Sequence, residues 1–152
     1  MEAVGNAIYS ALQTDATLRV LLGAPTVSPY NVFHAEVPQG FDFSPSTGAH
    51  KCITYAEVSS VVDQNFVGIV CQGAQELYNV TSMARLKADA EAIDRRVKWL
   101  LQDKRSVTQP SSGAVILNIK RENKGGIQYD SAWKCYYTTS IYRVWAKEED
   151  FH

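Results

Sequence analysis

The stretch Glu76–Gln102, E-L-Y-N-V-T-S-M-A-R-L-K-A-D-A-E-A-I-D-R-R-V-K-W-L-L-Q, changes its periodicity partway along. Glu76–Thr81, E-L-Y-N-V-T, has strand chemistry. Beyond it Leu86, Ala90, Ile93, Val97 and Leu100 step by four, three, four and three residues, one apolar stripe on a helical period. Thr81 or Ser82 supplies an N-cap, and the spacing predicts a helix over about 82–102. Glu91 with Arg95 and Asp94 with Lys98 form i,i+4 pairs on its other face. A strand running into a long amphipathic helix that must bury one stripe places a sheet beneath that helix.

Working outward, the flanking segments supply that sheet. Lys51–Ser60 alternates, with Cys52, Thr54, Ala56 and Val58 on one face and Ile53, Tyr55 and Glu57 on the other. Asp63-Gln64-Asn65 interrupts it, and Phe66–Gln72 is apolar again. Downstream, Ser106–Gly113 reads as a loop, followed by strands at Ala114–Arg121 and about Ala132–Ala146. Between those strands lies Asn123-Lys124-Gly125-Gly126, which lacks the GxxxxGK[ST] phosphate signature and reads as a hairpin turn. In the last strand Tyr137, Thr139, Ile141, Arg143 and Trp145 share one face, and Tyr136, Thr138, Ser140, Tyr142, Val144 and Ala146 the other. One of these faces is expected against the core and the other partly covered by a helix or a neighbouring subunit.

The amino-terminal part is helical. Val4, Ile8, Ala11 and Leu12 predict a helix over about 4–13. A short helical turn follows over about 15–22, with Asp15 as N-cap, Gly23 at its end and Pro25 beyond. From Ala24 to His50 four of the five prolines (Pro25, Pro29, Pro38, Pro45) exclude both a long helix and a central strand. The segment is therefore an extended arm, with room for a short strand at Tyr30–Ala35. The order predicts an α+β fold, a mainly antiparallel sheet packed by an N-terminal helix and one long amphipathic helix, with a long proline-containing arm. A single domain over 1–152 is expected, with the arm at 24–50 and a polar tail at 147–152.

Composition narrows the function. Fifteen Lys plus Arg against sixteen Asp plus Glu give a net charge of -1, without the basic excess that phosphate binding requires. No apolar run of about eighteen residues is present to span a bilayer, and the first residues lack a signal peptide's basic start. Cys52, Cys71 and Cys135 lie 19 and 64 residues apart, unsuited to a disulfide framework or a zinc knuckle, and read as free buried thiols of a cytoplasmic protein. His34, His50 and His152 show no i,i+3 or i,i+4 metal spacing. Arg85, Lys87, Arg95, Arg96, Lys98, Lys104 and Arg105 are interleaved with Asp89, Glu91, Asp94 and Asp103, which reads as a mixed solvated face. Glu148-Glu149-Asp150 reads as a solubilising tail. No catalytic residue, cofactor or metal is expected.

Several phrases resemble one family. "VGNAIYSALQTDATLRVLLG" looks like the N-terminal helix of the tail-terminator (tail-completion) proteins of long-tailed bacteriophages. "SPYNVFHAEVPQG" and "AHKCITYAEVSS" resemble the short strand, loop and next strand that follow there. "QELYNVTSMARLKADAEAIDRRVKWLLQ" and "SAWKCYYTTSIYRVWAKE" are similar to that family's strand with long helix and its last strand. The resemblance implies a structural virion subunit without enzymatic activity. Such a subunit forms a homo-oligomeric ring, usually a hexamer, at the head-proximal end of the tail after synthesis in the host cytoplasm. Its partners would be the tail tube protein and the head-side connector or stopper protein, with DNA passing through the lumen unbound and no membrane involved. The alternatives are another neck or minor tail protein, or a small-molecule-binding α+β domain.

A ring needs heterologous contacts. Phe33, Phe41, Phe43 and Phe66 stand among prolines, glycines and polar residues in Tyr30–Gly48 and Ser60–Gly68, without a regular element to bury them. These rings, together with Asp63 and Asn65, are the expected contacts to neighbouring subunits or the tube.

Overall fold

The computed structural model describes residues 2–45, 48–64, 71–109 and 115–147. Helix α1 (Glu2–Thr14) and short helix α2 (Ala16–Leu21) are followed by strands β1 (Val32–His34), β2 (Cys52–Gln64) and β3 (Cys71–Ala84). Helix α3 (Lys87–Leu101) runs into a 3₁₀ turn (Gln102–Lys104), and β4 (Val115–Lys124), β5 (Gln128–Asp130) and β6 (Cys135–Lys147) complete the order. The sheet order is β1-β2-β3-β6-β4, with β5 also on β6. Among the described strands only β1 with β2 is parallel, so the fold is α+β with a mainly antiparallel sheet.

One face of the sheet carries the main core. Val4, Ile8 and Leu12 of α1 and Ala90, Ile93, Val97 and Leu100 of α3 are almost fully buried against Ile53, Val80, Ile119, Tyr142 and Val144. Burying each large aliphatic side chain contributes roughly 1.5–3 kcal/mol, which is why the two amphipathic helices lie on this face. Asp15 caps α2 by accepting the Leu18 N–H at 2.8 Å, and Gly23 follows the helix at φ +90°, as the sequence predicts.

The long helix begins five residues later than its pattern predicts. Thr81–Met83 are held in β3 by partners on both sides, Met83 opposite Cys52 and Tyr137, and Thr81 opposite Thr54 and Thr139. Two ladders outcompete the helix start, so neither Thr81 nor Ser82 is the cap. Leu86 takes that place without a side-chain hydrogen bond, and at 49% exposure it drops out of the buried stripe.

The strands also run further than the pattern predicts. β2 continues past Ser60 through Asp63 and Gln64, which pair with Gly73 and Cys71. A register shift between Glu57 and Ser59 breaks the expected alternation and leaves Val58 on the surface. Gly125-Gly126 is not the hairpin turn. β4 and β5 lie end to end along the same side of β6, and Gly125 joins them, its N–H donating to Thr139 O at 2.7 Å while its carbonyl accepts from Thr138 Oγ1. A Cβ there would sit 3.0 Å from that Thr139 oxygen, so close backbone approach explains the glycine. The reversal occurs at Ser131–Lys134, where Asp130 Oδ1 accepts the N–H groups of Ala132 and Trp133.

β4 is an edge strand whose backbone is covered by side chains. Gln109 both accepts the Ile116 N–H and donates to its carbonyl, Lys104 Nζ donates to the same carbonyl, and Gln102 accepts the Arg121 N–H. This edge is closed to an added strand.

Candidate functional site

The arm folds back over the second face of the sheet. Asn31 Nδ2 donates to the carbonyls of Ala49 and Lys51, and Arg85 donates to Ser44 O at 2.7 Å. Gly23 meets the arm so closely that a Cβ would lie 1.7 Å from Gly48 O. Thus pinned, the arm delivers Phe43 into a second small core with Cys52, Met83 and Cys135, where it is 1% exposed. This corrects the expectation that Phe43 is an exposed anchor: its partners come from β2, β3 and the start of β6, far away in sequence. Phe33 and Phe41 pack on that core but stay half-exposed, in a run of rings from Phe33 to Phe41 (5.7 Å), Phe43 (4.8 Å) and Trp133 (5.8 Å). Asp63 lies in β2, whereas Asn65 and Phe66 fall outside the described residues.

Burial fixes the thiols of this small core in the protonated form. It pushes Cys135 up to about 11, with the Asp130 charge adding to the effect, and pushes Cys52 higher. His50 contacts the Asp42 carbonyl at 2.8 Å, and the His34 ring meets Tyr55 edge-on at 5.2 Å. Among the described residues no three His, Cys, Asp or Glu side chains converge as a metal set, and no helix is long and apolar enough to cross a membrane.

Past the arm, the second face is half-exposed. Gln75, Leu77, Asn79 and Thr81 of β3 stand beside Trp145, Arg143, Ile141 and Thr139 of β6. Arg143 binds Glu122 through Nε and Nη2 and also donates to Gln75, tying β3, β4 and β6 together. That ion pair holds the Glu122 carboxyl below its ordinary range. The result is a broad surface of mixed polarity.

The outer side of α3 carries the second candidate. Two of the acidic residues expected among its cations pair elsewhere, Asp89 with Lys51 at 3.5 Å and Asp94 beneath the helix. Asp94 is 1% exposed and turns inward to Arg121 (3.0 Å), Lys124 (3.8 Å) and the Ser140 hydroxyl, because small Ser140 leaves room beneath the helix. The expected Asp94–Lys98 pair is thereby corrected. Asp15 takes Arg96, with Nε and Nη2 both at 2.9 Å. Left behind is a groove of about 270 Å³ lined by Arg95, Lys98, Trp99, Gln102 and Arg105. Trp99 is 46% exposed, with the guanidinium of Arg96 4.4 Å and that of Arg105 5.3 Å from its ring. Spacing alone hid this groove, since only tertiary contacts show which carboxylates leave the surface.

No protein-family model and no curated protein matches the sequence. Solved structures share the fold. A chain from the virion of a native gene transfer agent particle superposes with a TM-score of 0.65 at 16% identity, over 97% of this chain and 96% of that one. A second structure superposes with a TM-score of 0.55 at 11% identity, over 99% and 96% of the two chains. The chain is similar to both from end to end in fold.

Proposed function

We propose that this protein is a structural virion subunit, a ring-forming tail terminator that caps the phage tail tube and joins it to the head connector. The observation that carries this reading is the end-to-end likeness in fold to a chain of a gene transfer agent virion, without a large insertion on either side. In the proposal residues 1–152 act as one tail-terminator-like domain, six copies close a ring, and its faces meet the tail tube protein and the head-side connector. Its place is the head-proximal end of the tail. The near-neutral charge suits a conduit that DNA must traverse without being held. The half-exposed Phe33 and Phe41, rather than buried Phe43, are the arm's contacts to a neighbour, with Asp63 of β2 and with Asn65 and Phe66 also contributing. In the proposal the chain acts as a scaffold rather than an enzyme.

The test is assembly. Native mass spectrometry of purified protein is expected to give a hexamer, and electron microscopy a ring that caps tail tubes and joins them to filled heads. A monomer at every concentration, with rings absent from capped tubes, would overturn the proposal. Rings that bind connector complexes but never tubes would assign the chain to another position in the neck.

A further inference from the structure

We infer that the groove on the outer side of α3 receives the acidic segment Glu148–Phe151 of a second copy of this chain, an inference that rests on the ring reading above. The groove offers Arg95, Lys98 and Arg105 around Trp99. Among the described residues none of these three cations lies in ion-pair distance of a carboxylate. The segment that follows β6, Glu148-Glu149-Asp150-Phe151, carries three carboxylates and one ring in four residues. Charge and chemistry correspond: carboxylates for the guanidinium and ammonium groups, and Phe151 for the exposed indole. Length corresponds as well. Four extended residues span about 13 Å, and the six-residue step from Arg95 to Leu101, the end of α3, rises about 9 Å.

The ring reading favours a second copy over the chain's own groove. Lys147 pairs with Val115 and Ala146 with Ile116 at the edge strand. The free side of Ile116 is filled by Lys104 and Gln109. The last residues of β6 therefore lie beside an edge already filled by side chains. Segment and groove are different surfaces, so the contact is heterologous and of the kind that closes a ring.

A charge-swap experiment on the full chain tests this. One variant reverses the groove (Arg95→Glu, Lys98→Glu, Arg105→Glu) and a second reverses the segment (Glu148→Lys, Glu149→Lys, Asp150→Lys). All six changes are on the surface or beyond the packed strands, and circular dichroism checks that each variant folds. Each variant alone is expected to associate at least tenfold more weakly than wild type. An equimolar mixture is expected to recover association, because each groove then finds a segment of opposite charge on the other variant. Full-strength association of either variant alone overturns the inference. If the mixture fails while all six changes in one chain restore association, the segment binds its own groove, which also overturns it. A groove reversal that abolishes binding of a DNA duplex, with subunit association intact, would make the groove a phosphate site instead. A labelled peptide of residues 146–152 is expected to bind wild type and to lose binding on Trp99→Ala or the groove reversal. A wild-type chain that stays monomeric overturns the ring reading, whatever the peptide does. A wild-type ring indifferent to both reversals overturns only this contact.

Discussion

The carboxylate of Asp15 accepts the Leu18 N–H at 2.8 Å and two guanidinium nitrogens of Arg96 at 2.9 Å, so one side chain caps α2 and clamps it to α3. The Arg96 hydrogen bonds, then the Leu18 N–H and the Arg96 charge, outweigh burial and hold the Asp15 carboxyl below its ordinary value of 3.8. A carboxyl whose folded value is depressed stabilises the fold above its unfolded value, and that contribution fades as pH falls through the folded one. Asp15→Asn keeps a cap acceptor but removes the charge. It is expected to cost about 1 kcal/mol at pH 7, read from urea melts, and the gap from wild type should shrink below about pH 4. A gap that stayed constant down to pH 2 would assign the cost to lost cap geometry rather than to the ion pair.

Helix α3 shows how an element is divided between its own sequence and its neighbours. Ile93 is fully buried against the sheet, whereas Leu86, on the same stripe by spacing, is 49% exposed because the helix begins at Lys87. Ile93→Asp is expected to lower stability by about 4 kcal/mol, from lost packing and an unpaired buried charge, while Leu86→Asp stays within about 0.5 kcal/mol of wild type. Thermal melts of the two variants decide it, and equal losses would mean that the helix starts where its stripe does. At the edge of the sheet, Gln109 holds both backbone groups of Ile116. Gln109→Ala is expected to cost about 1 kcal/mol and to speed amide exchange at Ile116, with Ile119 unaffected. Unchanged exchange at Ile116 would show that the amide does not cover this edge.

For the whole molecule the arm has the widest consequences, because it turns a sheet with one covered face into a sheet with two. Phe43 is 1% exposed in the second core, and Phe41 is half-exposed above it. Phe43→Ser is expected to lower stability by about 3 kcal/mol through the cavity it leaves. Phe41→Ser should retain most of the stability and weaken subunit association. Melting temperature and native mass separate the two effects. A Phe41→Ser chain that melts like wild type and associates like wild type would remove the arm from the interface.

The sequence by itself determined what depends on neighbours along the chain. The 3.6-residue stripe through Ala90, Ile93, Val97 and Leu100 places α3 on a core, Asp15 and Gly23 bound α2, and the alternation of Cys135–Lys147 makes a strand with one buried face. These are local, since propensity, capping and period act over a few residues. Only the tertiary structure decided what depends on partners remote in sequence. Thr81–Met83 read as a helix start until β2 and β6 pair with them on both sides, and Gly125 reads as a turn until Thr139 approaches its backbone. Phe43 reads as an exposed ring until Cys52, Met83 and Cys135 enclose it, and Asp94 reads as a surface charge until Arg121 and Ser140 draw it inward. Each depends on which distant groups meet, and one such meeting, at Asp94, takes from the groove on α3 the carboxylate that spacing assigns to Lys98.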